Sequence, residues 1–128
     1  MLRRSGTEVT VQREFLKAKI HRATLTGSNL EYEGSFTIDE DIMDAAGILE
    51  YEKIHIYNVN NGARLETYAI KGRRGGKQME LNGAAARLGM PGDLVIIVSY
   101  CALDESEVAI HKPVLLLMTA DNEIAEIR

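Results

Sequence analysis

The chain has 128 residues, 45% hydrophobic and 27% charged, which suits one compact domain with a modest core and argues against a second. Its formal net charge is -4 and its pI is near 5.4, so long-range attraction of nucleic acid or anionic lipid is excluded and any anion site must be local. The lone Cys101 excludes an intrachain disulfide, fits a reducing cytoplasm, and follows an apolar run that marks it as a packed side chain.

The start, MLRRSGTEVTVQRE, carries Arg3 and Arg4 without an apolar stretch behind them and does not read as a secretory signal. Short runs of β-branched and aromatic residues follow, separated by turn chemistry at TGSN (26–29), NNGA (60–63), GRRGG (72–76) and MPGD (90–93). They predict strands at 15–25, 30–37, 53–60, 64–71, 77–81, 94–101 and 113–118. Asp39 as cap, Glu40 and Asp41 in the first turn and Gly47 as stop predict a short helix from 39 to about 46. That accounts for the DED run without a metal. NGAAARLG predicts a second helix capped by Asn82, with Gly89 beyond its end. The apolar runs LVIIV (94–98) and VLLLM (114–118) are far below the roughly 20 residues that span a bilayer and read as buried strands. The polar tail from 119 reads as frayed or docked on a neighbouring chain. Many strands with two brief helices predict a closed or nearly closed β-barrel, which removes exposed edges.

No dinucleotide fingerprint, Walker loop, HExxH or CxxC occurs. His21, His55 and His111 are too scattered for a metal triad and each fits a plain strand or loop position. KGRRGGK (71–77) gathers four cations without interleaved aromatics, so a solvated hairpin loop competes with a phosphate or DNA contact.

EYEGSFTID (31–39) sets Gly34 before Ser35 inside the predicted second strand. A bulge or close backbone approach is the plain reading of such a glycine. The chemical reading is an N-to-O acyl shift, in which the serine hydroxyl attacks the preceding carbonyl. β-Elimination then cuts the chain, and hydrolysis releases ammonia and leaves a pyruvoyl group. The dipeptide alone cannot decide between them.

KIHRATLT (19–26), YEGSFTID (32–39), DAAGIL (44–49), NVNNGARLETYAI (58–70) and LNGAAAR (81–87), in this order, resemble the aspartate 1-decarboxylases, pyruvoyl-dependent enzymes that make β-alanine. The resemblance spans Phe15 to Glu126 and leaves residues 1–13 as an N-terminal extension ahead of one barrel domain at 14–128. It implies a six-stranded double-psi β-barrel assembled as a homotetramer with sites between neighbours, one strand fewer than the count above. It implies autocatalytic cleavage after Gly34, conversion of Ser35 to the pyruvoyl group that forms a Schiff base with L-aspartate, and no metal or pyridoxal phosphate.

By the same resemblance, Arg64, Thr67 and Tyr68 match the NGxRxxTY motif, with Tyr68 as proton donor and Arg64 on the retained carboxylate. Alternation puts Arg64 and Tyr68 on one strand face; Thr67 takes part only through a bulge or a site built where subunits meet. Lys19 matches a basic residue near the substrate carboxylates, against the alternative of an exposed strand lysine. His21 and Tyr32 match residues of the processing site, with plain packing as the alternative for each. Thr67 and Asn82 are implied there too, Asn82 offering its amide to the oxyanion, while Gly83, Ala84 and Ala85 present backbone N–H groups to a carboxylate. The implied enzyme is cytoplasmic, serves pantothenate and coenzyme A synthesis, binds neither nucleic acid nor membrane, and leaves room for a maturation-promoting protein. The rivals are a pyruvoyl decarboxylase for another amino acid and a non-catalytic β-barrel module such as a DNA-binding regulator using KGRRGGK.

Overall fold

The computed structural model describes residues 2–4, 7–9 and 11–128. Strands β1 (Leu2–Arg4) and β2 (Thr7–Val9) pair with each other in a two-stranded sheet apart from the rest. The remaining strands form one mixed sheet, and the long β3 (Arg13–Thr24) shows how sequence sets its geometry. Its inward residues are Ala18 and Ile20, then Ala23 rather than residue 22. A register shift between Ile20 and Ala23, with Arg22 at φ 63°, turns the alternation over by one residue. His21 sits inside that irregularity.

Strand β4 (Gly27–Asn29) comes next, and the predicted strand at 30–37 breaks at this point. The Asn29 side chain accepts from the Glu31 N–H at 3.1 Å and its carbonyl from the Tyr32 N–H at 3.4 Å, a local turn that removes residues 30–34 from any ladder. Strand β5 therefore begins at Ser35 and runs to Asp39, buried throughout. Gly34 stands just before a strand and not within one.

Helix α1 (Glu40–Ala46) forms where predicted. The Asp39 carboxylate accepts from the Asp41 N–H at 2.9 Å, and Gly47 closes the helix in the left-handed conformation at φ 73°. Its buried face, Ile42, Met43 and Ala46, joins the core formed by Ile20, Phe36, Ile38, Ile54, Ile56, Met79, Leu81, Val95, Ile97 and Leu116.

Strands β6 (Lys53–Asn58) and β7 (Arg64–Gly72) form a hairpin, followed by β8 (Met79–Asn82) and a 3₁₀ turn at Gly83–Leu88 where a helix was expected. Strand β9 (Leu94–Leu103) leads to helix α2 (Glu105–Val108), then to β10 (Val114–Met118) and β11 (Ile124–Ile127). The ladder runs β11-β10-β3-β9-β6-β7-β5-β8-β4, with parallel pairs at β10/β3, β5/β7 and β4/β8.

The tail is not frayed. Strand β11 pairs with β10, and buried Asn122 exchanges hydrogen bonds with the Thr24 backbone at 2.7 and 2.9 Å and donates to the Lys77 carbonyl at 3.2 Å. Among the described residues, no helix is long and apolar enough to cross a membrane.

Candidate active site

Two places on the sheet gather most of the predicted site residues, while Lys19 and His21 stand on β3. The first is the start of β5, where Ser35 is 1% exposed and pairs with Asn82 across the β5/β8 ladder. The Ser35 hydroxyl donates to the Glu33 carbonyl at 3.2 Å and accepts from the Asn82 amide at 3.1 Å. The same amide reaches the Thr37 hydroxyl at 2.8 Å. Asn82 thus turns its side chain across the sheet and makes no cap hydrogen bond to the turn that follows. This corrects the expected capping role: two buried hydroxyls outcompete a short 3₁₀ terminus for its amide.

Gly83 follows at φ 64°, which favours glycine, and a methyl there would lie 2.7 Å from Cα and N of Gly34 and 2.9 Å from the Tyr32 carbonyl oxygen. A methyl on Gly34 itself would meet nothing within 4 Å. The close backbone approach read from Gly34 therefore exists, but the residue that must lack a side chain is Gly83. Ala84 is exposed and Ala85 half-buried behind it.

Tyr68 is adjacent in register. Strands β5 and β7 pair Phe36 with Ala69 in parallel, so Ser35 and Tyr68 stand one step before that pair on neighbouring strands. Tyr68 is partly exposed and its ring lies 6.3 Å from that of Tyr51.

The second place is the far end of the β6/β7 hairpin. Arg64 lies on the exposed face with Tyr68, as the alternation predicts, and Thr67 on the other. The β6/β7 register carries no shift, so a bulge does not bring Thr67 round. Arg64 and Tyr68 are four steps apart along the strand, about 13 Å at the usual rise. The Arg64 guanidinium lies over the Tyr57 ring, 3.8 Å from its centre. The Tyr57 and Tyr100 hydroxyls are hydrogen-bonded at 2.9 Å, and this bond, ahead of burial, raises the Tyr100 pKa.

Lys19 and His21 sit on β3, opposite Leu115 and Leu117 of β10. No described contact joins either to Ser35. Desolvation, then the charges of Lys19 and Arg22, lower the His21 pKa, and its Nδ1 is buried without a partner. Among the described contacts, Lys19, His21 and Arg64 do not meet Ser35. Thr37, Tyr57 and Tyr100 were missed by the sequence reading, since a strand threonine or tyrosine carries no signal until the register is known.

Arg74 of the KGRRGGK loop is committed to α1, reaching Glu40, Asp41 and Asp44 at 2.8, 2.7 and 2.7 Å, while Lys71 reaches Glu40 at 3.4 Å. The loop is a clamp on its own helix. Among the described residues, no group of three His, Cys, Asp or Glu side chains is placed to hold a metal ion.

With Ser35, Asn82 and Gly83 so placed, sequence comparison decides the family. The profile of the aspartate decarboxylases matches residues 11–125. The chain belongs to the aspartate decarboxylase family. It is 54% identical over 118 residues to the aspartate 1-decarboxylase of Ralstonia pickettii (strain 12J), covering 92% of this chain and 98% of that protein. It is 52% identical over 117 residues to that of Clostridium kluyveri (strain ATCC 8527 / DSM 555 / NBRC 12016 / NCIMB 10680 / K1), with 91% and 92% covered. It is 57% identical over 113 residues to that of Pelotomaculum thermopropionicum (strain DSM 13744 / JCM 10971 / SI), with 88% and 86% covered. The mainly β architecture agrees with the double-psi β-barrel of this family.

Proposed function

We propose that the chain cuts itself between Gly34 and Ser35 and then removes the α-carboxylate of L-aspartate, giving β-alanine and carbon dioxide for pantothenate synthesis. Family membership supports the reaction. One observation carries the self-cleavage: the buried Ser35 hydroxyl, donating to the Glu33 carbonyl while accepting from Asn82, sits away from competing water beside the Gly34 backbone.

The steps use this chain's own atoms. Ser35 Oγ bonds to the Gly34 carbonyl carbon, its proton passes to the Ser35 nitrogen, and the peptide C–N bond breaks to leave an ester. Loss of the Ser35 Hα expels the Gly34 carboxylate and leaves dehydroalanine. Tautomerisation and attack by water then release ammonia and leave the pyruvoyl group. Asn82, within reach of Oγ, stabilises oxygen charge during the attack, and the bare Gly83 allows the Gly34 backbone to lie close. His21, Tyr32 and Thr67 serve the same processing step.

The pyruvoyl group would supply an electrophilic carbonyl for the substrate amine and an electron sink for the pair left on the α-carbon as carbon dioxide departs. Arg64 grips the retained β-carboxylate through its planar N–H edge, and Lys19 adds a second cation for the dianionic substrate. Tyr68, adjacent to Ser35 in register, returns the proton to the α-carbon. Thr67 and the backbone of Gly83, Ala84 and Ala85 complete substrate binding. Because Lys19, His21 and Arg64 make no described contact with Ser35, we place the complete site between neighbouring chains of a homotetramer. Residues 1–13 are an extension to the barrel domain, and the enzyme works in the cytoplasm.

Carbon dioxide release from L-aspartate, L-glutamate and L-histidine tests the substrate. Aspartate is expected to be turned over far faster; preference for either of the others overturns the assignment.

A further inference from the structure

Arg64 is placed unusually for an exposed arginine. No carboxylate lies within ion-pair distance of it among the described residues. The acid that shares its cavity, Glu66, is held instead by Lys53 and lies near His55, each at 3.4 Å. The guanidinium carbon lies over the ring of Tyr57, its direct partner across the β6/β7 ladder, 3.8 Å from the ring centre. An aromatic face attracts the cation without using its N–H groups, so the in-plane edge of the fork stays free for a carboxylate.

The Tyr57 ring is itself held. Its hydroxyl is bonded to that of Tyr100, and the His55 ring stands edge-on to both, with centroids 6.2 Å from Tyr57 and 5.1 Å from Tyr100. A flexible arginine side chain otherwise loses considerable rotamer freedom on gripping a ligand. Stacking on a fixed ring restricts that freedom before the ligand arrives.

We infer that Tyr57, anchored through Tyr100, is a positioning residue that fixes the Arg64 guanidinium with its N–H edge turned to the substrate carboxylate. This rests on the assignment of Arg64 to the β-carboxylate above. Tyr57 acts through Arg64, so its loss weakens ground-state and transition-state binding alike and shows in KM rather than kcat.

The test is steady-state decarboxylation of L-aspartate by the self-cleaved enzyme, with fragment masses measured on every preparation. Tyr57→Leu is expected to raise KM about fivefold and to leave kcat within about twofold. Tyr57→Phe, which keeps the ring face, recovers most of that loss. In an Arg64→Lys background, Tyr57→Leu adds no further increase, because the two residues act as one unit. Should Tyr57→Leu fail to fold, Tyr100→Phe releases the ring without emptying its place and raises KM about twofold. An unchanged KM in the variants, or the same fivefold rise on top of Arg64→Lys, overturns the role of Tyr57. Absence of cleavage or of aspartate turnover in the wild-type preparation condemns the underlying reading instead.

Discussion

Ser35 and Arg64 occupy opposite conditions on one sheet. The serine is 1% exposed, and its hydroxyl has a protein donor and a protein acceptor. The arginine is exposed, backed by an aromatic ring and lacking a carboxylate partner among the described residues. A buried, fully partnered hydroxyl suits a reaction of the chain with itself, since water at the ester stage would hydrolyse the ester before elimination. An open, presented guanidinium suits a solute that arrives from outside. Under the proposed self-cleavage the contrast orders events: the sealed end reacts first, and the small molecule is handled only after the chain has been cut at Gly34.

The largest expected effect removes the sealed end's nucleophile. Ser35→Ala keeps the fold but should yield only unbroken chain and no decarboxylation; cleavage or turnover by that variant would dissolve the contrast. Gly83→Ala comes next, since the methyl meets Gly34 backbone at 2.7 Å and the φ of 64° disfavours a side chain. A loss of about 2–4 kcal/mol in denaturant unfolding is expected, together with slowed fragment formation. Gly34→Ala, whose methyl meets nothing within 4 Å, should cost far less stability.

The smallest effect is a pH dependence near the irregularity of β3. Desolvation lowers the His21 pKa below its ordinary 6.5, so the unfolded chain binds the proton more readily. The resulting stability is present above the unfolded value and is lost as pH falls through the lowered folded one. His21→Gln lacks this term. Its Tm relative to wild type should therefore rise between about pH 7 and pH 5; a constant difference would show that His21 titrates alike in both states.

What the sequence disclosed, and what it withheld, follows the range of the interactions. Helix α1 was legible because its signals, Asp39, the first-turn acids and Gly47, act within a few residues. Strands β3, β6, β7, β9 and β10 were legible from their apolar and branched runs. The break at 30–34 was hidden because Asn29 makes its turn with side-chain bonds that a YEGSFT pattern masks. Strand β11 was hidden because the turn that leads into it is held by distant partners, Asn122 bonding to Thr24 and Lys77. At the site, Ser35 and Asn82 were readable through the resemblance, but not that the Asn82 amide would choose two hydroxyls over the turn. The requirement for glycine at 83 belongs to packing between β8 and the loop before β5. Tyr57 under Arg64 depends on the hairpin register, which alternation alone does not fix.

The most direct test is the intact mass of fully active enzyme under denaturing conditions. Two fragments are predicted, residues 1–34 and 35–128, the larger carrying a pyruvoyl group where an amine would stand. Fully active material measured as a single unbroken chain of 128 residues would contradict the proposal that Ser35 becomes the catalytic electrophile.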